Sequence, residues 1–254
     1  MTSNKTSLLQ TRGLALAFGG VVAADAIDFD LQVGERLAVI GANGAGKTTF
    51  INMVTGYIKP SAGTIRFDGQ DITAMHPRQI VRLGIGRSFQ LPQLFLDHTV
   101  RESVALAVAA RTGKMLGFSN LFKPLSKCVA TDEIDQSLEL VGLHARSDDV
   151  CSSLPEGHRK LLDIVMALVL QPKLLIMDEP TSGVAADEKH GLMATIMKAL
   201  DERGVTSIFV EHDADIVTQY ATRVAAWISG RIAADGTPQD VMNNDEVRSV
   251  VLGH

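Results

Sequence analysis

The chain has 254 residues, 46% of them hydrophobic, enough for one large domain or for a core carrying an inserted subdomain. Its formal net charge is -5 and no run of Lys or Arg marks a nucleic-acid footprint, which argues against a nucleic-acid partner. Cys128 and Cys151 stand in no metal-ligand spacing and read as reduced thiols. No apolar stretch of about 18 residues would cross a bilayer, and Met1 to Leu9 lacks the apolar centre of a signal peptide, so any membrane link is expected to run through a partner.

In chain order, Gly13 to Val33 alternates loosely and predicts short strands. Arg36 to Ile40 is an apolar strand run ending at Gly41. A glycine-rich turn leads into a helix from Lys47 towards Thr55, punctuated by Gly56 and Pro60. Gly63 to Gly69 reads as an edge strand closed by a turn. From Val100 to about Leu170 the chain predicts mostly helix, with Ile134, Leu138 and Val141 at helical spacing; Arg111 to Lys127, rich in Gly, Ser and Lys, reads as an insertion. Strand runs return at Leu174–Met177, Ser207–Val210 and Arg223–Ile228. The first two end on charged pairs, Asp178-Glu179 and Glu211-His212. Strands alternating with helices, with polar residues at strand ends, predict a parallel α/β sheet with its site along the carboxyl edge.

The strongest motif is Gly41, Ala42, Asn43, Gly44, Ala45, Gly46, Lys47 and Thr48, a match to G-x-x-x-x-G-K-[ST] followed by Thr49. Glycines let the backbone wrap a phosphate chain with its amide groups pointing inward. Lys47 supplies positive charge to the β- and γ-phosphates, and the Thr48 hydroxyl can ligate magnesium. Downstream, four apolar residues of a buried strand deliver Asp178, to hold magnesium directly or through water, and Glu179, to polarise the attacking water. No Asn-Lys-x-Asp stretch is present to read guanine, which disfavours a GTPase.

With these motifs, Phe18-Gly19-Gly20, Arg87-Ser88-Phe89-Gln90, Ser207 to Asp213 and the tail Ser229 to Asn244, nearly the whole chain resembles the ATP-binding cassette family. Within that family it is similar to the ATPase subunits of branched-chain amino acid importers. The resemblance implies that Phe18 stacks adenine, that Gln90 reaches the magnesium and the lytic water, and that His212 is the switch histidine. It makes Glu179, His212 and Gln90 the catalytic set and Thr48, Gln90 and Asp178 the magnesium ligands. ATP contacts fall to Phe18 and residues 41–49. Singly, each has a blander reading: Phe18 as a core aromatic, Gln90 as a loop glutamine, His212 as a strand-end histidine. His76, His98, His144, His158, His190 and His254 read as surface or loop residues.

The pattern breaks at the family signature. Where Leu-Ser-Gly-Gly-Gln is expected stand Leu154, Pro155, Glu156, Gly157 and His158. Pro155 cannot offer the serine hydroxyl to the γ-phosphate held by the opposite subunit, although proline suits a helix start and Gly157 still exposes an N–H. Two expectations follow: either the ATP site that receives this signature is the weaker of an unequal pair, or Pro155 is a tolerated variant and the backbone N–H groups suffice. In Thr181 to Ala185, Ala185 stands where many relatives place aspartate.

The expected architecture is a P-loop NTPase α/β core, approximately residues 1–90 and 171–254, with an N-terminal antiparallel β subdomain and an inserted α-helical subdomain, approximately 91–170. The resemblance implies an ATPase using ATP and Mg²⁺ in a bacterial importer of branched-chain amino acids or a related small polar solute. It implies a second, related ATPase subunit, two transmembrane permease subunits and a periplasmic solute-binding protein, at the cytoplasmic face of the inner membrane. Three other classes share the two phosphate motifs: a soluble cassette ATPase not coupled to transport, a P-loop kinase, for which no acceptor motif is present, and an exporter.

Overall fold

In a computed structural model, residues 7–113 and 131–252 are described. Cys128 and His254, and most of the Arg111 to Lys127 insertion, lie outside them. The elements run β1 (Ser7–Phe18), β2 (Val21–Gln32), β3 (Arg36–Gly41), α1 (Lys47–Val54), β4 (Ala62–Phe67), β5 (Gln70–Asp71), α2 (Pro77–Leu83), β6 (Ile85–Ser88), α3 (Val100–Thr112), α4 (Thr131–Leu140), α5 (Glu156–Val169), β7 (Leu174–Asp178), α6 (Lys189–Arg203), β8 (Thr206–Val210), α7 (Ala214–Tyr220), β9 (Arg223–Ile228), β10 (Arg231–Gly236) and α8 (Pro238–Met242). They divide into two compact units, one made of the chain up to Ile85 and from Thr206 onwards, the other of Gly86–Val205.

The first unit contains an antiparallel sheet in the order β2-β1-β4-β5. Its two leading strands are each 12 residues long, not short. Four irregularities in their register absorb the broken alternation that suggested shorter pieces. β4 is not the edge. Gln70 and Asp71 turn back to pair with Phe67 and Arg66, so the two-residue β5 takes the outer position. β3 lies between β8 and β9 and runs parallel to both, and β10 returns antiparallel beside β9. A parallel sheet was expected, and this antiparallel margin adds to it. Phe50 of α1 packs against Trp227 of β9 at 5.1 Å and edge-on against Phe29 of β2 at 5.6 Å, so one aromatic cluster ties the helix to both sheets.

α2 is a short helix that hydrophobic periodicity does not reveal. It starts on local chemistry: Nδ1 of His76 accepts from the Arg78 N–H at 3.3 Å, the Gln79 side chain reaches back to the His76 N–H at 3.0 Å, and Pro77 opens the first turn. His76 is thus a helix cap.

In the second unit, β6 and β7 are neighbours in a sheet, and α5 packs against α3, α4 and α6. Leu161, Leu162, Ile164, Val165, Leu168 and Val169 line the buried side of α5. α3 starts on a complete capping box between Thr99 and Glu102. Cys151 is buried, with its Sγ 3.3 Å from the Ser103 hydroxyl. Among the described residues, no helix is long and apolar enough to cross a membrane.

Candidate functional site

In the first unit, β3 ends at Gly41 and the chain wraps through residues 42–46 into α1. Glycine is obligatory at two points of this wrap. A Cβ on Gly41 would stand 2.5 Å from the Trp227 carbonyl oxygen, and one on Gly46 would stand 2.4 Å from that of Ala23. Gly46 also takes φ 104°, which an L side chain rarely adopts. It sits at the N-terminus of α1, with no side-chain hydrogen bond capping the helix. The first-turn amides and the positive end of the helix dipole therefore remain for an anion. Lys47 is buried and donates to the carbonyl oxygens of Gly41 at 2.6 Å and Ala42 at 3.0 Å. Ala42, Asn43, Gly44 and Thr48 are exposed, whereas Ala45 is buried and Thr49 is half-buried. A concave strip of backbone with a lysine at its base suits a polyphosphate.

Two more expected residues belong to this unit. Phe18 is 51% exposed, which disposes of the core-aromatic reading. It ends β1, pairs with Val21 and is followed by Gly19 and Gly20, both with positive φ, the turn that a two-residue hairpin requires. His212 is exposed just after β8, beside the buried Glu211, whose carboxylate accepts the His212 N–H at 3.2 Å. Because β3 and β8 are parallel, their carboxyl ends lie together, and a cavity of about 70 Å³ is bounded by Gly41, Glu211 and His212.

The second unit carries the acidic pair. β7 is buried up to Met177 and ends on the half-buried Asp178. The Asp178 carboxylate accepts from Arg87 at 3.3 Å, and the Arg87 guanidinium also lies over the Phe89 ring at 4.8 Å. Glu179 adopts φ 50°, a left-handed backbone uncommon outside glycine, and its Oε2 accepts from Nε2 of Gln90 at 2.7 Å. The fold thus joins Gln90 and Glu179 across 89 positions of sequence.

The aberrant signature opens α5. Pro155 is its N-cap, extended and without a side-chain hydrogen bond, and its carbonyl accepts from Arg159. Leu154 is buried, and Pro155, Gly157 and His158 line a cavity of about 350 Å³ with Val184, Glu188 and Leu192.

Two residues beside this site were not anticipated. Lys160 is 3% exposed, and its Nζ donates to the carbonyl oxygens of Gln90 at 3.0 Å and Glu179 at 3.1 Å. Asp163 accepts from the Ser88 hydroxyl and from the N–H groups of Phe89 and Gln93. A signal was present: Lys160 precedes the apolar Ile164 by one turn on a helix face that should bury only apolar groups.

Burial pushes the Asp163 carboxyl from its ordinary 3.8 up to about 6, against the three hydrogen bonds and the charge of Lys160, which favour ionisation. A carboxyl raised in the folded state contributes stability fully below pH 3.8, and that contribution is lost as the pH rises through about 6. The wild-type protein is therefore expected to lose on the order of 3 kcal/mol relative to Asp163→Asn between pH 4 and 7. Denaturant titrations across that range test this; parallel stability curves for the two proteins would mean that Asp163 titrates normally.

A family model described as ABC transporter matches residues 24–182. The chain is 34% identical over 250 residues to the high-affinity branched-chain amino acid transport ATP-binding protein LivG of Escherichia coli strain K12, covering 97% of this chain and 98% of that one. It is 31% identical, with the same coverages, to the corresponding protein BraF of Pseudomonas aeruginosa. Among solved structures, the ADP conformation of MJ1267, an ATP-binding cassette of an ABC transporter, superposes with a TM-score of 0.84 at 29% identity. That match covers 98% of this chain and all of that one.

Proposed function

Because the chain belongs to the ABC transporter family of ATPases, we propose that it is the ATP-hydrolysing subunit of a bacterial importer for branched-chain amino acids or a related small polar solute. What carries this reading is the likeness to LivG and BraF along almost the whole chain. The inserted helical subdomain is assigned to approximately residues 91–170.

In this reading, ATP lies with its adenine on Phe18 and its phosphates on the amides of residues 41–49, neutralised by Lys47. Thr48, Gln90 and Asp178 are the residues that would offer oxygen to Mg²⁺, as a hydroxyl, an amide oxygen and a carboxylate, which is the donor chemistry that suits this ion. Among the described residues no cluster of three His, Cys, Asp or Glu competes as a metal cage, and Mg²⁺ commonly takes only one or two carboxylates and completes its shell with phosphates and water. When bound, the ion would screen the phosphate oxygens on which charge develops. Glu179 accepts the proton of the attacking water, Gln90 orients the water and the glutamate, and His212 contacts the γ-phosphate region. Arg87 balances the Asp178 carboxylate, which would supply a negatively charged oxygen to the ion.

The partners are a second, related ATPase, two permease subunits and, through them, a periplasmic solute-binding protein, with this chain on the cytoplasmic face of the inner membrane. Leu154, Pro155, Glu156, Gly157 and His158 face the nucleotide held by the other ATPase. There, the uncapped amides of the first turn of α5 replace the usual serine hydroxyl.

Affinity purification of the tagged chain from its native membranes is expected to recover two integral membrane proteins and a second cassette ATPase. Liposomes containing that assembly should take up leucine, isoleucine or valine when ATP and the binding protein are supplied. Recovery with ribosomes or DNA, and full ATPase activity without membrane partners, would instead favour a soluble ATPase.

A further inference from the structure

Helix α5 holds the reactive residues from behind through two polar side chains three positions apart, and the hydrolysis just described assigns neither of them a part. Lys160 lies within the apolar face of the helix. A buried ammonium is tolerated only when its donors find acceptors. Here they meet two main-chain carbonyls, those of Gln90 and Glu179, at 3.0 and 3.1 Å. The same two residues are joined by their side chains at 2.7 Å. Asp163 accepts hydrogen bonds on either side of Gln90, from Ser88, Phe89 and Gln93. Glu179 needs such support, because its φ of 50° is one that a non-glycine residue holds only when its surroundings impose it.

We propose that Lys160 and Asp163 are positioning residues of the hydrolytic centre, which fasten Gln90 and Glu179 to α5 so that the water-orienting glutamine and the proton-accepting glutamate keep one fixed relation. This role rests on the reading of Glu179 as the base. It gives the signature helix a mechanical connection inside one chain: α5 begins at the signature, and its next turn carries the lysine. A displacement of the signature end of α5 is thereby passed to the main chain of both reactive residues through the hydrogen bonds of the Lys160 side chain. Lysine suits the task because one compact ammonium, with three rotatable donors, serves two carbonyls that converge on it.

Lys160→Met removes the charge and the donors at nearly constant volume. In the assembled transporter supplied with Mg-ATP, this change is expected to lower kcat about tenfold or more, since small misplacements of reacting groups carry penalties of that order. ATP affinity should stay within about twofold, because the phosphate loop is untouched. Asp163→Asn carries the same expectation should Lys160→Met fail to fold. The decisive comparison is with Glu179→Gln: if the lysine acts through the glutamate, Lys160→Met added to Glu179→Gln lowers the residual rate little further, whereas a merely structural loss would multiply in full. Wild-type kcat in a folded Lys160→Met protein, or full multiplication in the double variant, overturns the positioning role. Wild-type turnover by Glu179→Gln alone would instead remove the assignment of the base, which separates the two failures.

Discussion

Glu179→Gln is expected to lower ATP turnover by roughly 10²–10⁴-fold, the range of a lost general base, while ATP binding persists. The geometry makes the substitution clean. The glutamate follows the last residue of a buried strand, its main-chain carbonyl is held by Lys160, and its side chain accepts from Gln90 at 2.7 Å. A glutamine of the same length keeps a carbonyl oxygen to accept that bond, so the local arrangement survives and only the capacity to take a proton is removed. Single-turnover hydrolysis of radiolabelled ATP, beside equilibrium binding of the nucleotide, separates the two effects. Turnover within threefold of wild type in the assembled transporter would show that another group accepts the proton.

Lys47→Ala should act on the other quantity. In the proposed binding mode Lys47 faces the phosphates, and deleting it would remove a charge-assisted hydrogen bond of about 1.5–3 kcal/mol. That corresponds to roughly 10- to 150-fold in ATP affinity. The loop itself should persist. Ala45 donates to the Ala42 carbonyl at 3.1 Å and accepts from Gly230 at 2.9 Å, and Gly41 and Gly46 are seated against Trp227 and Ala23. The melting temperature is therefore expected to move little while nucleotide titrations weaken. An unchanged dissociation constant would contradict the phosphate-facing role of the lysine.

The chemistry-bearing motifs were legible because each depends on neighbours in sequence. An apolar run, a glycine spacing and a lysine mark the strand, turn and helix of the candidate phosphate loop, since backbone wrapping is a local property. The apolar residues before Asp178 identify a buried strand for the same reason. Ranges for the main strands and helices also followed, most closely at β3, α1, β7, β8 and β9. Local reading failed where an element is short or its signals are polar. α2 has seven residues and only Ile80 buried, and β10 is six residues long with none fully buried, so neither presents a clear hydrophobic period. The expected edge strand failed for a different reason: which strand lies outermost depends on what the following residues pair with, and β5 is only two residues long.

By itself, the sequence determined the family and displayed the candidate phosphate loop, the acidic pair and the departure at Pro155, all written in contiguous residues. Only the tertiary structure decided that Phe18 is exposed at a hairpin tip, that Arg87 balances Asp178, and that Gln90 meets Glu179. It alone assigned the buried ammonium of Lys160 to two main-chain carbonyls distant in sequence from it and from each other. The physical reason is that burial and hydrogen-bond partners are set by what surrounds a group in space. A lysine in a helix reads as solvated until the fold removes its water, after which its charge must be answered by acceptors contributed by other elements.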